Sequence, residues 1–213
     1  RTPLTVVGGF IETMLDMPDI DPTTREQHLQ LMHEQTGRMQ RLVEDLLALS
    51  RLENGQQMKE DEVNIPNMMQ ILRTEAEGLS QGRHTISLEG VAPLRLIGNH
   101  DELHSAFGNL VSNAIRYTPQ GGAIRLIWEE RNGQPVFAVR DTGIGVAPEH
   151  IPRLTERFYR VDRGRSRSTG GTGLGLAIVK HVLQRHQARL EVQSRLGEGS
   201  EFAVFFPAER ALH

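Results

Sequence analysis

The sequence predicts an α+β protein in two parts: an N-terminal helical hairpin, then a two-layer α/β sandwich with a mixed sheet. Three observations carry that prediction. The first fifty-odd residues hold an uninterrupted heptad stripe. Beyond residue 60, short apolar strand-like runs alternate with amphipathic helical stretches. Glycine-rich turns punctuate that second part at Gly121-Gly122, Asn132-Gly133 and Gly197-Glu198-Gly199.

The stripe comprises Leu29, Met32, Thr36, Met39, Val43, Leu46 and Ser50, spaced alternately three and four apart, with Leu31, Leu42, Leu47 and Leu49 widening the apolar face. No proline interrupts Thr24 to Glu53; Thr23 or Thr24 is the expected N-cap and Asn54-Gly55 the expected stop. Upstream, Leu4, Val7, Ile11 and Met14 repeat the spacing until Met17-Pro18-Asp19-Ile20-Asp21-Pro22 breaks it. The second helix would run roughly 45 Å and the first about half that. Such a mismatch implies that the first helix begins upstream of Arg1, and the opening Arg1-Thr2-Pro3-Leu4, without Met, reads as part of a longer chain. Two striped helices cannot close a core alone, whereas two hairpins form a four-helix bundle. A homodimer through residues 1–55 is therefore expected, with a second domain over 60–210.

In that second part, Ile86–Leu88, Leu94–Ile97, Ile124–Trp128, Val136–Val139, Leu190–Val192 and Phe202–Phe206 read as strands. Pro66–Leu79, Asp101–Tyr117, Pro148–Leu154 and Leu174–His186 read as helical. Trp128, alternating with polar neighbours, is expected in the core.

Composition narrows the function classes. Of 213 residues 38% are hydrophobic, and 24 Lys+Arg face 27 Asp+Glu for a net charge of −3, which argues against a direct nucleic-acid partner. The absence of cysteine excludes disulfide scaffolds and thiolate metal sites. No apolar run reaches the roughly 18–20 residues of a membrane span. Nine histidines invite metal hypotheses, but His100-Asp101-Glu102-Leu103-His104 lacks the glutamate placement of a zinc helix. His28 and His33 lie off the stripe and are expected to be solvated.

Three motifs carry chemistry. On the helix 101–117, Asn109 and Asn113 are four apart and share a face; they are either a solvated face or neutral oxygen ligands for Mg²⁺ and phosphate, with Arg116 adding positive charge. Asp141-Thr142-Gly143-Ile144-Gly145 ends a strand; its carboxylate can accept from an amino group such as that of adenine, though an ordinary turn also favours Asp and Gly. Gly171-Thr172-Gly173-Leu174-Gly175 opens a helix, either as a phosphate cradle or as a hinge. No Lys-Ser/Thr follows it and no strand precedes it, so it is neither a Walker loop nor a dinucleotide fingerprint.

In combination and in this order, the three motifs resemble the N, G1 and G2 boxes of the gyrase, heat-shock-chaperone, histidine-kinase and mismatch-repair ATPases. Glu156-Arg157-Phe158-Tyr159-Arg160-Val161-Asp162 is similar to the F box of sensor histidine kinases, and Arg1-Thr2-Pro3-Leu4 to the tail of their H box. Glu149–Thr155 and Leu174–His181 look most like the phosphate-regulon branch of that family.

The resemblance implies binding of ATP with Mg²⁺. It makes Asn113 the metal ligand, with Asn109 beside it, and puts Arg116 and Tyr117 on phosphate and ribose. Asp141 takes adenine, with Gly143 and Gly145 shaping the pocket, while Gly171, Thr172, Gly173, Leu174 and Gly175 line the phosphate side. Arg160 stands near the γ-phosphate, Phe158 anchors a lid, and Ser200 closes the last glycine box. Arg157, Arg160, Arg163, Arg165 and Arg167 then read as a basic lid over a triphosphate.

The family's acceptor histidine would stand three residues before Arg1, so this stretch of chain is not expected to phosphorylate itself. Thr2 matches the residue that orients water for dephosphorylating a partner, and is equally a plain N-cap before Pro3. A response-regulator receiver domain is the implied partner, and a cytoplasmic position below an upstream inner-membrane part the implied location. Two other readings are a nucleotide-binding regulatory module without kinase activity and another ATPase of the superfamily.

Overall fold

The computed structural model describes residues 3–17, 20–54, 58–161 and 171–212. Thr2, the 162–170 segment that includes Arg163, Arg165 and Arg167, and Gly55 lie outside the described residues.

Helix α1 (Pro3–Asp16) and α2 (Pro22–Glu53) form the hairpin. The cap of α2 is Asp21 rather than either threonine: its carboxylate accepts the Thr23 and Thr24 amides, each at 3.0 Å, and the Thr24 hydroxyl. Pro22 at the first helical position starts the helix at least two residues earlier than the polar pattern suggested, and the Asp21 carboxylate also complements the helix dipole. Against expectation, His28 is not solvated; its ring sits 4.6 Å from that of Phe10, at the α1–α2 seam. Much of the stripe faces outward, with Leu29, Val43 and Leu46 exposed, while Leu49 is buried against the second part of the molecule.

That second part is a five-stranded sheet, in the order β2 (Thr85–Glu89), β4 (Ala123–Arg131), β5 (Gln134–Asp141), β7 (Gly199–Phe205), β6 (Arg189–Arg195). Only β2 and β4 run parallel; the other pairs are antiparallel, so the sheet is mixed as expected. Helices α3 (Ile65–Ser80), α4 (His100–Tyr117) and α5 (Gly175–Arg185) contribute their apolar stripes to one core with the sheet. Phe107 stacks on Phe137 at 3.8 Å, Phe206 meets Phe107 and Trp128 edge-on, and the Trp128 indole donates to the Leu94 carbonyl at 3.1 Å. Trp128 is fully buried, as its alternation predicted.

Two strands escaped the sequence pattern. β1 (Asp61–Val63) and β8 (Ala211–Leu212) flank β3 (Arg95–Gly98) in a small antiparallel sheet that reaches Leu212. Three and two residues are too few to show a period, and their pairing is supplied by β3. The stretch Pro148–Arg153 is a 3₁₀ turn rather than an α-helix, because Pro152 inside it can donate no amide hydrogen bond.

Candidate functional site

Pairing of β5 with β7 sets Asp141 opposite Ser200 at the end of the sheet. The Asp141 carboxylate is buried, accepts the Gly143 amide at 2.8 Å and also takes a backbone hydrogen bond from Ser200. Burial pushes its pKa above the usual carboxylate range, and those two amides oppose the shift. A Cβ on Gly143 would lie 2.6 Å from both Asp141 Oδ1 and the Tyr117 carbonyl oxygen, so only glycine lets the loop cross between them. Gly145, at φ +67°, leaves no room either: a Cβ would sit 1.9 Å from the Arg195 oxygen. The loop is pinned from both sides, by Ile144 N–H to Tyr117 O at 3.1 Å and by Gly197 N–H to Ile144 O at 2.8 Å. Ser194, which the sequence did not single out, holds its next turn: its hydroxyl accepts the Val146 amide at 2.7 Å and bonds Ser200 Oγ at 2.8 Å.

Helix α4 supplies the other wall. Asn109 Nδ2 donates to the Ser105 carbonyl at 2.9 Å, which turns its Oδ1 toward the first turn of α5. There a Cβ on Gly175 would come within 2.5 Å of that oxygen. Two turns further along, the Arg116 guanidinium lies against Gly171, whose added Cβ would meet Nη1 at 2.7 Å. Burial lowers the Arg116 pKa, yet it starts so high that the group stays charged at neutral pH. Asn113 is half-buried between these two on the same face, and Tyr117 is exposed at the helix end. Among the described residues no three His, Asp or Glu side chains cluster as metal ligands.

The loop before α5 is held by backbone from Phe158: Phe158 N–H donates to Gly173 O at 2.9 Å, and Phe158 itself adopts φ +61° with its ring exposed. Leu174 is fully buried and anchors the loop's end. Arg160, two residues after Phe158, is half-buried, and Tyr159 is fixed by His150 Nδ1 at 2.7 Å from its hydroxyl and by Arg153 stacked at 4.3 Å over its ring.

Two contacts lay beyond sequence reasoning. Thr172 Oγ1 donates to Asp45 Oδ2 of α2 at 2.6 Å, and Arg157 pairs with Glu53 at the end of the same helix. Burial raises the Asp45 pKa, opposed by the Thr172 hydrogen bond and by Arg116. Leu42, Ala48, Leu49 and Leu52 of α2 pack onto the core beneath these pairs. In this arrangement the hairpin bears directly on the glycine loop.

The structure thus brings Asn109, Arg116, Gly171 and Gly175 together in one group of contacts, and Tyr117, Asp141, Gly143, Gly145 and Ser200 in a neighbouring one at the end of α4. Residues 98–210 match the family described as histidine kinase-, DNA gyrase B- and HSP90-like ATPase, and the chain belongs to it. Within it the chain is of the sensor-histidine-kinase type, since residues 1–55 match the His Kinase A phospho-acceptor domain.

Among curated relatives, the phosphate regulon sensor protein PhoR of Pseudomonas aeruginosa is 51% identical over 215 residues, covering 99% of this chain and 48% of that protein. PhoR of Haemophilus influenzae is 37% identical, covering 97% and 48%, and the sensor-like histidine kinase SenX3 of Mycobacterium tuberculosis is 36% identical, covering 98% and 51%. The chain spans about half the length of these relatives. Two solved structures share the fold over nearly the whole chain. The histidine kinase AdeS of Acinetobacter baumannii has a TM-score of 0.75 at 22% identity, with coverage of 99% and 97%. ThkA in complex with the response regulator TrrA has a TM-score of 0.77 at 21% identity, with coverage of 98% and 58%. Among the described residues no helix is long and apolar enough to cross a membrane.

Proposed function

We propose that this chain is the ATP-binding and phosphotransfer core of a two-component sensor kinase in phosphate-starvation signalling. The observation that carries the reading is the buried Asp141 beside Gly143 and Tyr117 at the end of α4, the same helix that sets Asn109 against Gly175 and Arg116 against Gly171. Asp141 accepts the purine amino group, Gly143 and Gly145 let the base lie close to backbone, and Tyr117 covers the sugar. Arg116 and the amides of the 171–175 loop neutralise the phosphates, with Arg160 drawn toward the terminal one. Asn113 and Asn109 offer neutral oxygens, which suits Mg²⁺ because that ion takes most of its ligands from phosphates and water. When bound, the ion spreads the charge of the leaving diphosphate.

The acceptor is a histidine on α1 of the longer protein, upstream of Arg1, and the phosphoryl group then passes to an aspartate of a receiver domain. Thr2 is the residue proposed to orient water when that aspartate is dephosphorylated. The exposed Leu29, Val43 and Leu46 support a homodimer through the hairpins. In this reading these residues lie on the cytoplasmic side of a longer, membrane-anchored protein. The test is transfer of radiolabelled γ-phosphate on a chain extended by His-Glu-Leu, with a receiver domain added. Acid-labile, base-stable label that moves to the receiver supports the proposal. Steady hydrolysis without phosphohistidine favours an ATPase of the wider family, and binding without either reaction favours a regulatory module.

A further inference from the structure

One histidine far from any motif sits where the nucleotide-binding helix leaves the core. The backbone N–H of His84 donates to Ser80 Oγ at 3.0 Å, and the same hydroxyl lies 3.0 Å from His84 Nδ1. The other ring nitrogen, Nε2, lies 2.9 Å from the Thr118 carbonyl oxygen. A carbonyl only accepts, so Nε2 carries the ring proton and Nδ1 accepts from Ser80. Ser80 is buried at the end of α3, so this tautomer is fixed from inside the fold.

The bond does not act alone. Thr118 is the C-cap of α4, and the loop after it is tied to the same segment twice more. Gly121 N–H donates to Arg83 O at 2.7 Å, and Thr85 N–H donates to Gly122 O at 3.0 Å. Arg83 in turn closes α3, its guanidinium donating to the Ser80 carbonyl at 2.9 Å and the Leu79 carbonyl at 3.2 Å. Residues 80–85 therefore clamp residues 118–122. The residue just before the clamp is Tyr117, whose carbonyl takes the Ile144 amide and so positions the loop after Asp141; one further back is Arg116, against Gly171.

We propose that His84 is a positioning residue of the nucleotide site: by holding the Thr118 carbonyl it sets the exit of α4, and with it Arg116, Tyr117 and the Gly143–Gly145 loop. The proposal rests on the nucleotide-binding reading above. Its action is through Thr118 and Tyr117, without contact to the ligand. Removing the imidazole leaves a buried carbonyl without its donor and lets the helix end drift, which the pocket registers as lost affinity. Glutamine at the same place carries an amide N–H that can reach the same oxygen.

The experiment compares the parent with His84→Ala, His84→Gln and Val63→Ala. The last is a truncation of a buried residue just before the opposite end of α3, which lowers Tm without touching the clamp. Two readouts are taken: amide hydrogen exchange at Gly121 and Ile144 without nucleotide, and the Kd for a non-hydrolysable ATP analogue with Mg²⁺. His84→Ala is expected to lose protection at both amides and to weaken binding about tenfold, the order set by one unsatisfied buried acceptor. His84→Gln is expected to restore both to near the parent, and Val63→Ala to change neither. Unaltered protection in His84→Ala, no rescue by glutamine, or an equal loss in Val63→Ala overturns the proposal. A parent that binds no nucleotide overturns the functional reading instead, and the exchange data then decide the clamp by themselves.

Discussion

Replacing Asp45 by alanine should tighten nucleotide binding, although Asp45 belongs to the hairpin and not to the pocket. Its carboxylate accepts from Thr172 Oγ1 at 2.6 Å, and Thr172 belongs to the loop proposed to face the phosphates. A hydrogen bond to a charged acceptor contributes about 1.5–3 kcal/mol when well formed. Asp45 is only half-buried and its burial already opposes ionisation, so solvent and desolvation reduce that to about 1 kcal/mol. The Arg157–Glu53 pair, with side chains 48% and 37% exposed, adds less than about 1 kcal/mol. If the loop must leave Asp45 to meet phosphate, removing the carboxylate returns that ~1 kcal/mol as roughly fivefold tighter binding. Isothermal titration of parent and Asp45→Ala with the ATP analogue and Mg²⁺ measures it. An unchanged or weaker affinity in the variant would refute the reasoning, because it would mean that Thr172 keeps its position in the bound state.

Two further outcomes follow from burial and exposure. His186 is fully buried and neutral, its Nδ1–H given to Val182 O at 2.8 Å and its Nε2 accepting the Asn99 amide at 3.0 Å. Burial pushes its pKa below the ordinary imidazole value near 6.5, despite Glu102 and Glu60 nearby. The unfolded chain therefore takes up a proton that the folded chain refuses. This contribution to stability is complete above about pH 6.5 and falls as acid is added below it. Urea unfolding from pH 7.5 to 5.5 should show a steeper loss in the parent than in His186→Gln; equal slopes would contradict the assignment. On the hairpin, Val43 and Leu46 are 54% and 45% exposed, unlike the buried Leu49. Val43→Glu with Leu46→Glu should convert a dimer to a monomer in sedimentation experiments without lowering the Tm of the sandwich.

Much of the fold was legible because the signals are long. The heptad stripe, the amphipathic Asp101–Tyr117 helix and the alternation around Trp128 each repeat over several turns or pleats, and each formed the expected element. Short elements were not legible: β1 and β8 exist because β3 offers them edges. Asp21 became the cap because the Pro22 ring starts the helix early. The site was visible as three glycine- and asparagine-marked segments distant in sequence, and the structure sets Asn109 against Gly175, Arg116 against Gly171 and Tyr117 against Gly143 as its walls. Hidden from the sequence were the groups that hold those walls. Asp45 and Glu53 look like ordinary polar positions on a bundle helix, and only the packing of Leu49 and Leu52 onto the core brings them to Thr172 and Arg157. Ser194 and His84 act through single hydrogen bonds, which leave no spacing to recognise.

The central claim is that Asp141 marks a working nucleotide site, and titration of the parent and Asp141→Ala with a non-hydrolysable ATP analogue tests it most directly. Mg²⁺-dependent binding by the parent and a loss of at least about tenfold in the variant are expected, the order of one charge-assisted hydrogen bond. No binding by a folded parent, or equal binding by a folded Asp141→Ala, would contradict it.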